Sequence, residues 1–118
     1  MQYLLLIYDD ETGGAAVDRE AMYAEYRSFT EQLVAAGALR GANELQPSST
    51  ATTVSVRDGE TLVTDGPFAE TKEVLGGYYL IDVATLDEAL EWAAKIPTAR
   101  LGRIEVRPVV TRTAEVAS

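Results

Sequence analysis

Hydrophobic and polar positions follow two clear patterns in the first third of the chain. Residues 3–8, YLLLIY, are continuously apolar, which favours a β-strand in the middle of a sheet. From Asp18 to about Ala36, apolar residues recur at alternating steps of four and three, as on one face of an α-helix. The residues of this face are Met22, Tyr26, Phe29 and Leu33. Asp18 is a suitable N-cap and Gly37 a suitable C′ residue, so the pattern predicts a helix between them.

Alternating polarity predicts a β-hairpin in the middle of the chain. Residues 52–57 (TTVSVR) and 60–65 (ETLVTD) alternate around Asp58-Gly59, a pair favoured in a two-residue type I′ turn. Before the hairpin, residues 39–45 are predicted to form a short strand and residues 46–50 (QPSST) a loop.

The last third of the chain predicts a strand, a helix and a strand. Residues 76–83, GGYYLIDV, are typical of a buried strand, and residues 85–88, TLDE, form a capping box that opens a second helix. The apolar stripe of this helix consists of Leu86, Ala89, Leu90, Ala93 and Ile96. Pro97 ends the helix, and the alternation from Arg103 to Val109 predicts the last strand.

This order, βαβ followed by a hairpin and a second βαβ, predicts a ferredoxin-like α+β sandwich with an added hairpin. We expect one domain over residues 1–110 and a flexible tail over residues 111–118. The first strand and the strand at residues 76–83 are apolar on both faces, yet the two predicted helices cover only one face. A second copy is the simplest cover. We therefore expect a homodimer packed sheet to sheet, with pockets between each sheet and its hairpin or the neighbouring protomer.

Composition narrows the range of partners and chemistries. Ten Lys and Arg residues against nineteen Asp and Glu residues give a net charge of −9, which disfavours direct binding to nucleic acids or anionic membranes. The absence of cysteine and histidine excludes thiol nucleophiles, Ser-His-Asp chemistry and zinc or iron sites built on these residues. The acidic residues lack the spacing of a calcium loop, so we expect no metal and no cofactor. The apolar run at residues 3–8 has no basic residues before it, and we interpret it as a strand of a cytoplasmic protein.

The nonapeptide Asp65–Glu73, DGPFAETKE, is the segment with the most candidate chemistry. Gly66 and Pro67 force a sharp turn after the hairpin. Counting Asp65, the nine residues hold three carboxylates and one ammonium group. If residues 70–73 form a helical turn, Lys72 can pair with Asp65 or a neighbouring carboxylate. A carboxylate beside Phe68, Tyr78 or Tyr79 would be a candidate acid or base. The alternative interpretation is an ordinary turn followed by solvated surface charges.

Read with the rest of the chain, this nonapeptide resembles the signature of the YCII-related family, in its DGPF branch. The resemblance extends to residues 76–78 (GGY), to the second predicted helix with Pro97, and to residues 102–109 (GRIEVRPV). It implies a dimeric α/β-barrel arrangement of ferredoxin-like subunits. The founding branch is thought to use a histidine–aspartate pair, which this histidine-free chain cannot supply. The DGPF branch also implies a link to extracytoplasmic-function sigma factors, which at this net charge would operate through a protein partner.

Two hypotheses for function remain open. In the first, a homodimeric domain binds a small ligand and acts as a weak acid/base enzyme; in the second, DGPFAETKE is a docking or structural loop of a non-catalytic module linked to a sigma factor. For the first hypothesis, the candidate catalytic residues are Asp65, Glu70 and Lys72. The candidate ligand-binding residues are Phe68, Glu73, Tyr78, Glu105 and Arg107. Glu105 and Arg107 stand on one face of the last strand, where they would clamp a ligand, pair across a dimer or simply face solvent.

Overall fold

A computed structural model describes residues 1–11 and 18–112 of the chain. The strands are β1 (Gln2–Asp9), β2 (Leu39–Glu44), β3 (Thr52–Arg57), β4 (Glu60–Asp65), β5 (Val74–Asp82) and β6 (Arg103–Pro108). The helices are α1 (Arg19–Ala35) and α2 (Leu86–Lys95), and short 3₁₀ turns occupy Ser48–Thr50 and Pro97–Arg100. These elements agree with the predicted ones to within a few residues at each end. Most of the predicted tail, residues 113–118, lies outside the described residues.

Four strands form one antiparallel sheet in the order β2-β5-β1-β6, with the apolar strand β1 between two neighbours as predicted. Both helices cover the same face of this sheet, so the fold is a ferredoxin-like α+β sandwich. Strand β5 carries a bulge at Gly76, since Ile7 is opposite Gly77 whereas Tyr8 is opposite Leu75. Gly77 lies so close to β2 that an added Cβ would come within 2.9 Å of the Asn43 carbonyl oxygen. Close packing of β5 against β2 therefore accounts for a glycine at position 77.

The helix ends form as the capping residues predict. The Asp18 carboxylate accepts a hydrogen bond from the Ala21 amide at 3.1 Å, and Gly37 adopts a positive φ of 70° just beyond the end of α1. At the start of α2, the Thr85 hydroxyl accepts from the Glu88 amide at 3.2 Å. Local sequence therefore sets where both helices begin and where α1 ends.

The predicted hairpin is present, but it is separate from the main sheet. Strands β3 and β4 form their own two-stranded sheet in the register that pairs Val54 with Val63. Asp58 and Gly59 have φ of 51° and 78°, the two positive values that a type I′ turn requires.

The core lies between the helices and the inner face of the four-stranded sheet. Leu5, Leu33, Ile81 and Ile96 are its most deeply buried large side chains. Trp92 of α2 packs edge-on against Phe29 of α1, with ring centroids 6.0 Å apart, so it contributes to the packing of the two helices. The predicted stripe of α2 is buried at Ala89, Ala93 and Ile96, but Leu86 and Leu90 are nearly half exposed. Small alanines let this short helix approach the sheet, which leaves the flanking leucines at its sides.

We use the term open face for the side of the four-stranded sheet opposite the helices. Leu4, Leu6, Tyr78 and Leu80 lie on it and are only partly buried. The molecule is 19 Å across its thinnest dimension, about one sheet layer plus one helix layer. Both helices lie on the other side of the sheet, and among the described residues no helix has the length and apolar character of a membrane span.

Candidate functional site

A wide cleft of about 1790 Å³ opens between the N-terminal half of α1 and the sheet, near the end of β1 and the start of β5. It is larger than an ordinary pocket of roughly 300–1,000 Å³, so a small ligand would fill only part of it. Its inner part lies against Tyr26, Tyr79 and Thr98, and its outer part continues around the end of the sheet to Tyr78 and Glu105 on the open face. We refer to this whole opening as the cleft.

Two hydroxyl pairs form the inner wall. The Tyr26 hydroxyl lies 2.5 Å from Thr98 Oγ1, and the Tyr79 hydroxyl lies 2.7 Å from Thr30 Oγ1. The Tyr26 and Tyr79 rings are parallel, with centroids 6.5 Å apart. Thr98 is only 7% exposed, and it is the one buried polar or charged residue among those that the structure describes. A buried polar group is costly without a partner, and Tyr26 supplies that partner.

Burial keeps both tyrosines in their neutral form. Desolvation raises the pKa of Tyr26 above its ordinary value, and the hydrogen bonds with Thr98 offset only part of this effect. Tyr79 and the negative charge of Asp9 raise the pKa of Tyr26 further. Burial likewise raises the pKa of Tyr79, against the opposing effect of Thr30. At neutral pH these hydroxyls therefore donate and accept hydrogen bonds but do not act as phenolate bases.

Local sequence explains how these groups come together. The apolar face of α1 points towards the sheet along its whole length, which places Tyr26 over β1 and β5. Pro97 ends α2 and starts the 3₁₀ turn that carries Thr98 to the same place. The bulge at Gly76 lies on the β5 side of the cleft, where such irregularities change the direction of a strand.

Charged groups line the mouth of the cleft, with six carboxylates against three basic groups. The carboxylates belong to Asp9, Asp10, Glu11, Glu44, Glu73 and Glu105, and the basic groups to Arg19, Lys72 and Arg103. Arg103 Nε donates to Glu73 Oε1 at 3.0 Å, which ties the end of the nonapeptide to β6. In the described part of the chain, no group of acidic side chains is arranged to hold a metal ion.

The first part of the nonapeptide lies away from the cleft. Asp65 is the last residue of β4, opposite Thr52, and Glu70 is exposed. Phe68 is 90% exposed. The helical turn considered for residues 70–73 is absent: residues 72 and 73 form a bend, Thr71 Oγ1 donates to the Glu73 carbonyl at 2.6 Å, and β5 begins at Val74.

The other sequence-predicted residues lie at or near the cleft. Lys72, Glu73, Tyr78 and Glu105 line it. Arg107 does not line the cleft, but its guanidinium forms an ion pair with Glu105 on the open face. The structure therefore brings four of the eight candidates together and leaves Asp65, Phe68 and Glu70 elsewhere.

Sequence reasoning missed the inner wall of the cleft. The sequence pattern places Tyr26 on the apolar face of α1. It gives no indication of Thr30, Thr98 or Asp9. A usable signal was present, since a tyrosine in a helix face that points inward needs a hydrogen-bond partner. The partner itself was not readable, because Thr98 lies 72 residues further along the chain.

Comparison with known proteins supports the relationship that the motifs indicate. The family model of the YCII-related domain matches residues 1–113. The chain is also 42% identical over 114 residues to an uncharacterised protein of Rhizobium meliloti strain 1021, an alignment that covers 92% of each chain. With a match over nearly the whole length and a relative this similar, the chain belongs to the YCII-related family.

Proposed function

We propose that this protein is a homodimeric domain that binds a small organic molecule in the cleft. The single observation that carries the proposal is the inner wall, where the Tyr26–Thr98 hydroxyl pair and Tyr79, which is hydrogen-bonded to Thr30, line a large opening. Buried hydroxyls and aromatic rings beside a concave space are the usual components of a small-ligand site.

The number of hydroxyl protons indicates which hydrogen bonds the inner wall can donate to a ligand. A tyrosine and a threonine hydroxyl each carry one proton, and a hydrogen bond between them uses one of the two. Each pair therefore keeps one proton for a further acceptor, such as a carbonyl, hydroxyl or carboxylate oxygen of a ligand. The neighbouring rings of Tyr26 and Tyr79 give the same ligand an apolar surface.

Weak acid/base chemistry is part of the proposal. Lys72, Glu73 and Glu105 line the cleft and can exchange protons with a bound molecule. Tyr26 and Tyr79 remain protonated at neutral pH and so orient the ligand as hydrogen-bond donors. Asp65 and Glu70 have no part in this chemistry, because they lie outside the cleft.

The dimer is supported by the character of the open face. Its centre is formed by Leu4, Leu6, Tyr78 and Leu80. The charged groups at its margins are paired inside the protomer, because Asp82 contacts the Met1 amine and Glu105 contacts Arg107. A nearly neutral, apolar face on a chain of net charge −9 suits a second copy of the same face. Since the outer part of the cleft reaches this face, the second copy would also wall the cleft.

A fragment screen with matched variants tests the ligand proposal. Dissociation constants of hits from a library of small aromatic and aliphatic acids, amines, amides and alcohols would be measured by calorimetry. We expect Tyr26→Phe to weaken hits about fivefold, the value of one hydrogen bond of about 1 kcal/mol. Tyr3→Phe is the control, since Tyr3 is also a buried tyrosine but its hydroxyl contacts Met1 Sδ and not the cleft. A screen without hits, or equal losses in both variants, would contradict the proposal.

A second function is favoured by one observation, the exposure of Phe68. A phenylalanine side chain that is 90% exposed is available to fill a pocket on a partner protein, as aromatic anchor residues do at interfaces. We propose, as the alternative, that DGPFAETKE docks a sigma factor encoded beside this gene. Phe68→Ala would then weaken binding to that purified sigma factor at least about tenfold. Binding that is unchanged in this variant, or the lack of a sigma-factor gene nearby, would count against it.

A further inference from the structure

The two ends of the β3–β4 hairpin are joined to each other at its base. There the Gly66 amide donates to the Ala51 carbonyl at 2.7 Å, and Thr53 Oγ1 donates to the Gly66 carbonyl at 2.8 Å. The two strands form a sheet of their own, and none of their residues is buried. A two-stranded hairpin alone in water is only marginally stable. A stable hairpin here needs a further surface to pack against.

The hairpin has its apolar side facing outwards. The register places Val54 opposite Val63 and Val56 opposite Thr61 on one side, which we call the valine face. Val54, Val56 and Val63 are 60%, 58% and 63% exposed. On the other side, Thr53 and Ser55 are partly covered. The remaining residues of that side are exposed, among them Leu62 at 47%, so each side has apolar surface in water and the valine face has more of it.

We propose that the valine face packs against a second copy of this chain, so that the hairpin is an arm that holds the dimer together. This inference rests on the dimer of the proposed function and is independent of the ligand. It adds a contact outside the sheet-to-sheet surface, and it gives the hairpin a role that the sandwich itself does not require.

The area available on the sheet supports such an arm. Four strands about 4.8 Å apart and about 25 Å long present roughly 500 Å² on one face. A stable interface buries about 800 Å² on each partner. The open face alone falls short, and the valine face of a hairpin about 20 Å long and 10 Å wide adds roughly 200 Å².

Charge identifies the partner as a second copy. The valine face has no charged side chain except Asp65 at its base, and the tip pair of Arg57 and Glu60 lies on the other side. A strongly charged partner would be met by a charged surface. Two chains of net charge −9 instead associate through surfaces without charge, and both the valine face and the open face have this character.

Lysine pairs on the two sides of the hairpin provide the test. Val54→Lys/Val63→Lys changes one directly opposed pair on the valine face, and Ser55→Lys/Leu62→Lys changes the next opposed pair on the other side. Both variants alter the net charge equally, and a less negative chain should associate more readily, so weaker association cannot come from charge repulsion. Leu80→Lys on the open face tests the sheet contact separately.

Sedimentation equilibrium measures the dimer dissociation constant of each variant, with circular dichroism to confirm the fold. We expect a wild-type dimer, a constant about 100-fold higher for Val54→Lys/Val63→Lys, and a constant within about threefold of wild type for Ser55→Lys/Leu62→Lys. If Leu80→Lys dissociates the dimer but the valine-face pair does not, the arm is wrong and the sheet contact stands. A wild-type monomer at high micromolar concentration, or equal effects of both hairpin pairs, would overturn the inference. Fragment binding to the wild-type cleft is measured separately and can fail without affecting this result.

Discussion

The two ends of α1 carry the same apolar pattern but have different surroundings. At the C-terminal end, Phe29 and Leu33 are 3% and 0% exposed in the core. At the N-terminal end, Met22 and Tyr26 are only partly buried and line the cleft. The pattern places all four on the side of the helix that faces the sheet, but it does not determine whether the space opposite is filled.

The difference comes from what lies across from the helix. At the closed end, Leu33 belongs to the same core cluster as Ile81 of β5 and Ile96 after α2, and all three are almost completely buried. At the open end, the wall is made of Thr98 and of strand residues around the Gly76 bulge. Hydroxyls and glycines fill less volume than isoleucines, so one end is core and the other is a candidate site.

The largest expected effect is the difference in stability between substitutions at the closed end and at the open end of α1. Leu33→Ala should lower the free energy of unfolding by about 3 kcal/mol, because it leaves a cavity in a tightly packed region. Met22→Ala should cost less than about 1 kcal/mol, because its side chain already borders the cleft. Urea unfolding followed by circular dichroism measures both values. Similar losses in the two variants would mean that the open end is packed as tightly as the closed end.

A glycine near the open end should be the next most sensitive position. A Cβ at Gly102, just before β6, would overlap the backbone carbonyl oxygen of Tyr8. Gly102→Ala should therefore cost about 2 kcal/mol through strain in the β1–β6 pairing.

Gly41→Ala is the matched control for this glycine. Its Cβ would meet only the Leu80 side chain, at an ordinary distance of 3.9 Å. We expect a change within about 0.5 kcal/mol in the same urea titration. A tolerated Gly102→Ala would show that β6 can shift and that the open end is not held rigidly.

Removing one hydroxyl of the Tyr26–Thr98 pair on the cleft wall should lower the free energy of unfolding by about 1 kcal/mol. Tyr26→Phe removes the partner of the buried Thr98 hydroxyl, which then loses its only described hydrogen bond to a side chain. Adding Thr98→Val should cost less than the sum of the single changes, because the unpaired group is removed as well. Fully additive losses in this double-mutant cycle would argue against the pair.

The smallest expected effect concerns pH at the closed end. The hydrogen bond from the Met1 amine, together with Arg40, lowers the pKa of Asp82 below its ordinary value. A carboxylate with a lowered pKa stabilises the fold at pH values above its unfolded pKa of about 3.9, and this stabilisation disappears as pH falls through the folded pKa. Asp82 is exposed to solvent, so the contribution is small.

Asp82→Asn tests this pH dependence. The difference in melting temperature between wild type and variant should be constant from about pH 5 to 7 and should shrink below about pH 4. The Tyr26→Phe variant at the open end should show no such change over this range, because a phenol with a raised pKa does not titrate there. A difference that grows on acidification would contradict the assignment to Asp82.

Most of the fold could be predicted from the sequence because its signals are local. Asp18 and Thr85 mark the helix starts, Asp58-Gly59 forms the turn of the hairpin, and the apolar run of β1 indicates the sheet centre. The nonapeptide was different, because it has neither helical nor strand periodicity. Its path is fixed by contacts such as that between Glu73 and Arg103, which no local pattern shows.

The site was less predictable for a related reason. Charged residues in a motif are conspicuous, so Asp65, Glu70 and Lys72 became candidates, yet of these only Lys72 lines the cleft. The inner wall combines Tyr26 and Thr98, which look like a helix face residue and a loop residue when taken alone. Only the packing of α1 and the 3₁₀ turn on the same strands joins them.

Chemical-shift mapping of a fragment hit on the ¹⁵N-labelled protein tests the central claim most directly, namely that the open end of the sandwich is a ligand site. We expect the largest amide shifts at residues around the cleft, among them Tyr26, Tyr79 and Thr98, and little change around Leu33 at the closed end. Shifts that concentrate on the hairpin or around Phe68, with none at the cleft wall, would contradict it.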